Sequence, residues 1–316
     1  MTKQLYKKPF RSPEILTKKM IIEGLPESER SEILSLLRRI NYFRVKVYAH
    51  PFKRNLISDN KKKSRFYQNN VSVTDITDFY AFDACMRDLC LSYLSDIEII
   101  VRSKLDQAIT RFDDNPFWYF DPDNFVSRDI TQVADKIKDL FEKSHEEFAT
   151  HYKNKYQNDV HMSYEALPPS WIAIELMTFG SVCHIMNDLN VSSFDKDGQN
   201  ALNQMAIECG AMSFAHLAKW MDSFKDARNK CAHQNRIVNR NIRQYSRTNK
   251  FITHPQCKTN RIYQMLCVIK HILNKTNHDR DIKSDLERIF SEHKIHTRFL
   301  RSMGFPEKWK EDPIWS

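Results

Sequence analysis

Apolar residues recur three or four positions apart over most of this chain, which is the spacing of the buried face of an α-helix. The longest such segment runs from about residue 74 to 112, and Thr74 is its candidate N-cap. Residues 53–72 and 113–127 are polar or rich in Asp, Asn and Pro, so we predict a loop and a connection there. Other helices are predicted as two short ones between about 13 and 40, then at about 129–157, 171–189, 213–235, 258–274 and 281–293.

Only 5 glycines occur among 316 residues, and sheet-rich folds use glycine at turns and bulges. We therefore predict an all-α fold. Gly180 interrupts a predicted helix and is expected to mark a close approach between helices, because an interior glycine costs about 1 kcal/mol relative to alanine. The aromatic tail residues Phe305, Trp309 and Trp315 are expected to pack on the core.

The formal charge is +9, from 49 Lys and Arg against 40 Asp and Glu, which is compatible with a polyanionic partner without requiring one. The 7 cysteines form no C-x-x-C pair, and most lie in apolar periodic segments. The first 20 residues are polar and basic rather than a signal peptide. No apolar run reaches the ~18 residues of a membrane span, so we predict a reduced, cytoplasmic protein that does not enter a membrane.

Two clusters of basic residues with interleaved aromatics have the composition of an RNA-binding face, because cations neutralise phosphates and aromatic rings stack on bases. The alternative for each is a solvated surface segment. The first cluster consists of Lys53, Arg54, Lys61, Lys62, Lys63 and Arg65, beside Phe52, Phe66 and Tyr67. The second consists of Arg228, Lys230, Arg236, Arg240, Arg243, Arg247 and Lys250, with Tyr245 among them.

The hexapeptide Arg228-Asn229-Lys230-Cys231-Ala232-His233 closes the predicted 213–235 helix. Arg228 falls inside the apolar face of that helix, where a guanidinium needs a partner such as an acidic group, a second subunit or a phosphate. Histidine is the side chain whose ordinary pKa lies near neutrality. A cation that holds phosphate beside a proton carrier is what RNA cleavage without a metal requires. The apolar face is formed by Leu217, Trp220, Met221, Phe224, Ala227 and Cys231.

The hexapeptide resembles the R-x-x-x-x-H motif of HEPN ribonucleases in its R-N-x-x-A-H form. Together with four other segments, it makes the chain similar to the Abi-like (AbiD/AbiF) family of bacterial phage defence from about residue 13 to the C-terminus. Those segments are Ile40-Asn41-Tyr42-Phe43-Arg44, Trp171-Ile172-Ala173-Ile174-Glu175-Leu176-Met177-Thr178-Phe179-Gly180, Arg236-Ile237-Val238-Asn239-Arg240 and Met303-Gly304-Phe305-Pro306.

The resemblance implies a HEPN-like helical bundle with additional N- and C-terminal helices. We expect an N-terminal helical region with the basic loop at 1–72 and a core at 73–250 that carries the motif. A polar helical insertion is expected within the core at about 113–170, and a C-terminal helical extension at 251–316.

The resemblance also implies a ribonuclease toxin of abortive infection that is regulated by a structured small RNA. His233 would act as general base or acid, Arg228 would neutralise the phosphate and Asn229 would assist either group. Products would carry 2′,3′-cyclic phosphate and 5′-hydroxyl ends. Glu98 and Arg102 are candidate supporting residues, and their alternative is an ordinary ion pair four residues apart.

No cofactor or metal is expected, because the 12 histidines lack Cys or acidic partners at ligand spacing. Two alternatives from other classes remain: an RNA-binding module with a degenerate motif, and a protein-interaction partner in a toxin–antitoxin operon. Five residues place Arg228 and His233 about 140° apart on a regular helix. They converge only if the helix is distorted or two copies meet, so we predict a homodimer packed through the apolar face.

Overall fold

A computed structural model of the chain describes residue 5 and residues 9–57, 63–157, 167–245 and 260–315, without the side chains of 55–57, 63 and 64. These residues are mostly helical, and the all-α prediction is confirmed. Within the described ranges, no helix combines the length and the apolar character needed to cross a membrane.

The α-helices are α1 (Pro13–Ile22), α2 (Arg30–Arg39), α3 (Tyr42–Ala49), α4 (Val73–Asp113), α5 (Thr131–Lys143), α6 (Glu147–Lys155), α7 (Ser170–Leu176), α8 (Phe179–Asp188), α9 (Ala201–Glu208), α10 (Phe214–Ala232), α11 (Ile262–Lys275), α12 (Ile282–Glu292) and α13 (His296–Met303). Two antiparallel hairpins are formed by β1 (Lys53–Ile57) with β2 (Lys63–Tyr67) and by β3 (Asp195–Lys196) with β4 (Gln199–Asn200). Single 3₁₀ turns lie at Glu27–Glu29, His50–Phe52, Trp118–Phe120, Pro122–Asn124, Val191–Phe194, Trp309–Glu311 and Pro313–Trp315.

The described residues form two compact units. The first unit combines Met1–Met86 with Arg288–Phe299, and the second combines Arg87–Glu287 with Leu300–Ser316. The helices α4, α12 and α13 each contribute residues to both units.

The long α4 helix confirms the strongest periodic signal in the sequence. All nine apolar positions of its predicted face are 0% exposed. Its cap differs from the prediction, since Ser72 rather than Thr74 caps it: Asp75 N–H donates to Ser72 Oγ, and Ser72 N–H donates to the Asp75 carboxylate. The nine positions are Phe79, Phe82, Met86, Cys90, Tyr93, Ile97, Val101, Leu105 and Ile109.

The polar segment 53–72 was predicted as a loop, and this is wrong for the strands β1 and β2. They pair with Lys53 opposite Tyr67 and Arg54 opposite Phe66. Tyr67 is 4% exposed, and its N–H donates to the carbonyl of Glu23 at 2.7 Å. The hairpin is therefore fixed by backbone pairing and by a contact remote in sequence, neither of which the local composition reveals.

Two predicted long helices are each broken into two. The 129–157 segment divides into α5 and α6, with Ser144 Oγ accepting from Glu146 N–H in the turn between them. The 171–189 segment divides into α7 and α8, because Thr178 adopts an extended ψ of 155° and caps α8 through Ser181 N–H. A Cβ on Gly180 would meet Lys225 Cδ at 3.9 Å, so this glycine does not mark a close helix approach.

The second unit contains most of α4 together with α10 and α11, and most of the apolar residues of these helices are buried. The helix α10 packs against α8 and α9, and its apolar face is 1% exposed or less at every position. The tail prediction is confirmed, since Phe305, Trp309 and Trp315 are at most 5% exposed and Trp315 Nε1 donates to Tyr263 Oη at 3.1 Å.

Candidate functional site

The motif helix α10 begins with a side-chain cap and ends three residues earlier than predicted. Ser213 Oγ accepts from His216 N–H at its start. At its end, Gln234 N–H donates to Cys231 O and Asn235 N–H donates to Lys230 O, both at 2.9 Å. This pair of bonds is the Schellman arrangement, which satisfies the last carbonyls and stops the helix.

His233 is the C-cap residue of α10, with φ −82° and ψ 13°. Its N–H still donates to Asn229 O at 3.0 Å, so the helical turn is intact from Arg228 to the cap. Arg228 and His233 could converge through a distorted helix or through two copies of the chain. The helix is not distorted between them. Their side chains leave α10 in directions about 140° apart, as regular helix geometry requires.

The motif side chains differ in exposure. Arg228 is half-buried and makes no ion pair or hydrogen bond among the contacts of the described residues, whereas Asn229 and His233 are exposed. The apolar face beside Arg228 is covered by the chain itself, because Trp220 and Phe224 are both 0% exposed. That face cannot form the predicted dimer interface, and a dimer would have to use another surface.

The carboxyl end of a helix carries negative partial charge, so a phosphate brought there needs cations to offset it. Lys230 is engaged by Asp226, and Arg243 lies 3.9 Å from Asp222. Arg228 and the exposed Arg240 make no ion pair within the described part of the chain. Arg236 is half-buried, and Arg247 and Lys250 lie outside the described residues.

The first basic cluster belongs to the hairpin in the first unit. Lys53 is not a free cation, since its Nζ lies 2.5 Å from Glu23 Oε2 and 4.3 Å from the centre of the Tyr67 ring. Arg54 and Arg65 are exposed, and they contact Asn69 at 3.2 Å and His50 at 2.9 Å respectively. Lys61, Lys62 and the side chain of Lys63 lie outside what the structure describes.

Glu98 and Arg102 form the ion pair that their spacing on α4 predicts. The guanidinium of Arg102 also donates to the carbonyls of Glu175 at 3.2 Å and Met177 at 2.6 Å. These carbonyls lie where α7 ends. The pair therefore supports the α7–α8 junction, and no described contact joins Glu98 to Arg228.

Sequence reasoning missed a buried arginine that contacts the motif end. Arg87 of α4 is 1% exposed, and its Nη2 donates to Gln234 Oε1 at 3.1 Å. Gln234 directly follows His233. The sequence gives only a weak indication that Arg87 is buried, because it lies about 80° from Phe79 on the helical wheel, at the edge of the apolar face.

The chain matches the family model described as Abi-like protein over residues 35–239. No curated protein and no solved structure shows a significant match. The family suggests a role in abortive infection, a form of phage defence. Because the match spans well over half of the sequence and includes the whole Arg228–His233 motif, this chain belongs to the Abi-like protein family.

Proposed function

We propose that this protein is a metal-independent endoribonuclease of the HEPN type that acts in abortive infection. The observation that carries the proposal is the end of α10. There a half-buried Arg228 without an ion pair among the described residues lies five residues before an exposed His233, with exposed Asn229 between them. A fixed cation and a titratable imidazole are the two groups needed for cleavage that uses the RNA's own hydroxyl.

In the proposed reaction, the 2′-hydroxyl of the RNA attacks the adjacent phosphate. His233 takes the proton from that hydroxyl or donates one to the departing 5′-oxygen. The Arg228 guanidinium hydrogen-bonds the non-bridging oxygens, whose negative charge grows in the transition state. Asn229 can donate to the phosphate from its exposed side chain. The products are 2′,3′-cyclic phosphate and 5′-hydroxyl ends.

We further propose that two copies share one cleft, each supplying its motif. The regular turn between Arg228 and His233 supports this, because it directs the two side chains apart within one chain. The interface uses the surface around the motif end rather than the apolar face of α10. The exposed Arg54, Arg65 and Arg240 are candidates for contacts with a structured regulatory RNA.

The assignment is tested with purified Arg228→Ala and His233→Ala variants. We expect each to lose RNA cleavage by about 10²- to 10⁴-fold, the usual contribution of general acid–base catalysis, and cleavage by the wild type to persist in EDTA. Lys219→Ala, an exposed position on the same helix, is the matched control and keeps full activity. Folded variants that still cut at the wild-type rate would refute the proposal. Wild-type RNA binding without cleavage would indicate the non-catalytic module, and neither property would indicate a protein-interaction partner.

The shared cleft is tested by mixing the two inactive variants. If each site takes Arg228 from one copy and His233 from the other, a mixed dimer has one intact site. Random exchange of subunits then restores about a quarter of the wild-type activity, as expected for a two-fold symmetric pair. Each variant alone, kept at the same total concentration, is the control. No recovery after complete exchange, measured by sedimentation of labelled subunits, would place both groups of a site on one chain.

A further inference from the structure

A second set of reactive side chains lies in the first unit and includes no residue of the Arg228–His233 motif. Cys85 and Asp78 lie seven residues apart on α4, and His293 directly follows α12. His293 Nε2 lies 3.5 Å from Cys85 Sγ, and His293 Nδ1 lies 2.7 Å from Asp78 Oδ1. A thiol, an imidazole and a carboxylate are thus joined in a row.

The order of these contacts determines what the imidazole can do. Asp78 accepts a hydrogen bond from Nδ1–H, which leaves the lone pair of Nε2 directed at the thiol. A base in that position takes the proton of the thiol, and the thiolate is the form of cysteine that reacts as a nucleophile. The ring of Phe82 lies beside the imidazole, with the two ring centres 6.0 Å apart.

Cys85 is half-buried, and the side chains of His293 and Asp78 are 15% and 35% exposed, so a small molecule can reach the row. The other described cysteines are buried. Burial raises the pKa of Cys183 to about 12 and that of Cys209 to about 11, which keeps both as unreactive thiols. Among the described residues, no group of three or more His, Cys, Asp or Glu side chains could hold a metal ion, so nucleophilic chemistry suits the row better than metal binding.

We propose that Cys85 is a nucleophilic thiol, with His293 as its base and Asp78 as the carboxylate that orients the imidazole, and that small soft electrophiles modify it covalently. The proton of the Cys85 thiol passes to His293 Nε2. The sulfur electron pair then forms a bond to the electrophilic carbon, and the leaving group departs with its bonding pair. With iodoacetamide, the products are the carboxamidomethyl thioether of Cys85, an imidazolium at His293 and iodide.

The test compares the alkylation rate of each cysteine by iodoacetamide at neutral pH in the folded full-length chain and in denaturant, by mass spectrometry of the peptides. A free thiol is only a few per cent thiolate at neutral pH, so we expect Cys85 to react about tenfold faster folded than unfolded. Partial burial alone can only slow the reaction. Cys183 and Cys209 serve as internal controls and should react more slowly in the folded chain.

His293→Gln should remove most of the acceleration at Cys85 and leave the unfolded rate unchanged. Asp78→Asn should remove part of it, because the imidazole loses its orienting acceptor. Slower reaction of Cys85 in the folded wild type than in denaturant would overturn the proposal. So would an unchanged rate in a folded His293→Gln protein, and if that variant does not fold, Asp78→Asn and the folded-to-unfolded ratio of the wild type decide.

Discussion

Gln234 combines an unfavourable backbone conformation with a specific side-chain contact. Its φ is 57°, a left-handed value that glycine adopts most easily and that costs other residues about 1–2 kcal/mol. Glycine could not accept the hydrogen bond that Arg87 donates to Gln234 Oε1. The side chain thus accounts for a non-glycine residue at this helix end, and it ties the residue after His233 to a buried position on α4.

Replacing Gln234 separates the two effects. We expect Gln234→Ala to lower the free energy of unfolding by about 2 kcal/mol, because a hydrogen bond from a charged donor is lost while the left-handed strain remains. Gln234→Gly should lose about 1 kcal/mol less, since it relieves that strain. Urea denaturation measures both, with the exposed Gln244→Ala as the control. Equal losses in the two variants would show that the strain contributes nothing.

At the scale of elements, the α7–α8 junction depends on a side chain from α4. The helix break at Met177 and Thr178 leaves carbonyls at the end of α7 without helical partners. Arg102 donates hydrogen bonds to the carbonyls of Glu175 and Met177 while it pairs with Glu98. Buried carbonyls without donors are unfavourable. The contacts of Glu98 and Arg102 therefore support the fold at the end of α7 rather than contact the motif. Any effect on the motif would pass from α8 to α10, which pack together.

Arg102→Met tests this support. Its side chain is 11% exposed and that of Glu98 is 14% exposed, so removing the cation leaves a mostly buried carboxylate and should cost about 3–5 kcal/mol. Adding Glu98→Gln should recover part of the loss. The matched control is Arg288→Ala, whose pair with Glu292 is 59% and 49% exposed and should contribute at most about 1 kcal/mol. Urea denaturation measures the free energy of unfolding of each variant. Similar losses for the Arg102 and Arg288 variants would show that Arg102 does not support the end of α7.

At the scale of the whole molecule, His271 couples stability to pH. Its Nε2–H donates to the carbonyl of Gly210 at 3.0 Å. Burial lowers the pKa of His271, Lys275 adds to that effect, and the hydrogen bond to Gly210 opposes it. The contact also requires glycine, because Gly210 has φ 82° and a Cβ there would lie 2.6 Å from His271 Cδ2.

The sign of the pH effect follows from the lowered pKa. The unfolded chain takes up a proton at His271 near its ordinary pKa of about 6.5, before the folded chain does. The stabilising contribution of neutral His271 is therefore fully present above that pH. It is lost as the pH drops through the lowered pKa of the folded state. We expect His271→Gln to flatten the decline of Tm with acidification below about pH 6.5, whereas the exposed His145→Gln should not. An unchanged slope in a folded His271→Gln protein would exclude this residue as the cause.

The sequence by itself determined the elements whose apolar faces repeat over many turns. The apolar faces of α4 and α10 are buried at every predicted position. Apolar residues at helical spacing over many turns are removed from water only when the segment forms a helix packed on a core. The same periodicity located the motif and its half-buried arginine. Family membership followed from short motifs that need no structure to be read.

Only the tertiary structure decided features that depend on partners remote in the chain. The β1–β2 hairpin contacts Glu23 through Tyr67, and the α7–α8 junction is supported by Arg102 of α4. Neither contact is contained in a local pattern. Apolar spacing predicted a face of α10 for a second subunit, but the fold covers that face with its own side chains. The contacts of Arg87 with Gln234 and of His293 with Cys85 join residues 147 and 208 positions apart. Periodicity indicates which face of a helix is buried. Which residues pack against that face depends on the fold of the whole chain.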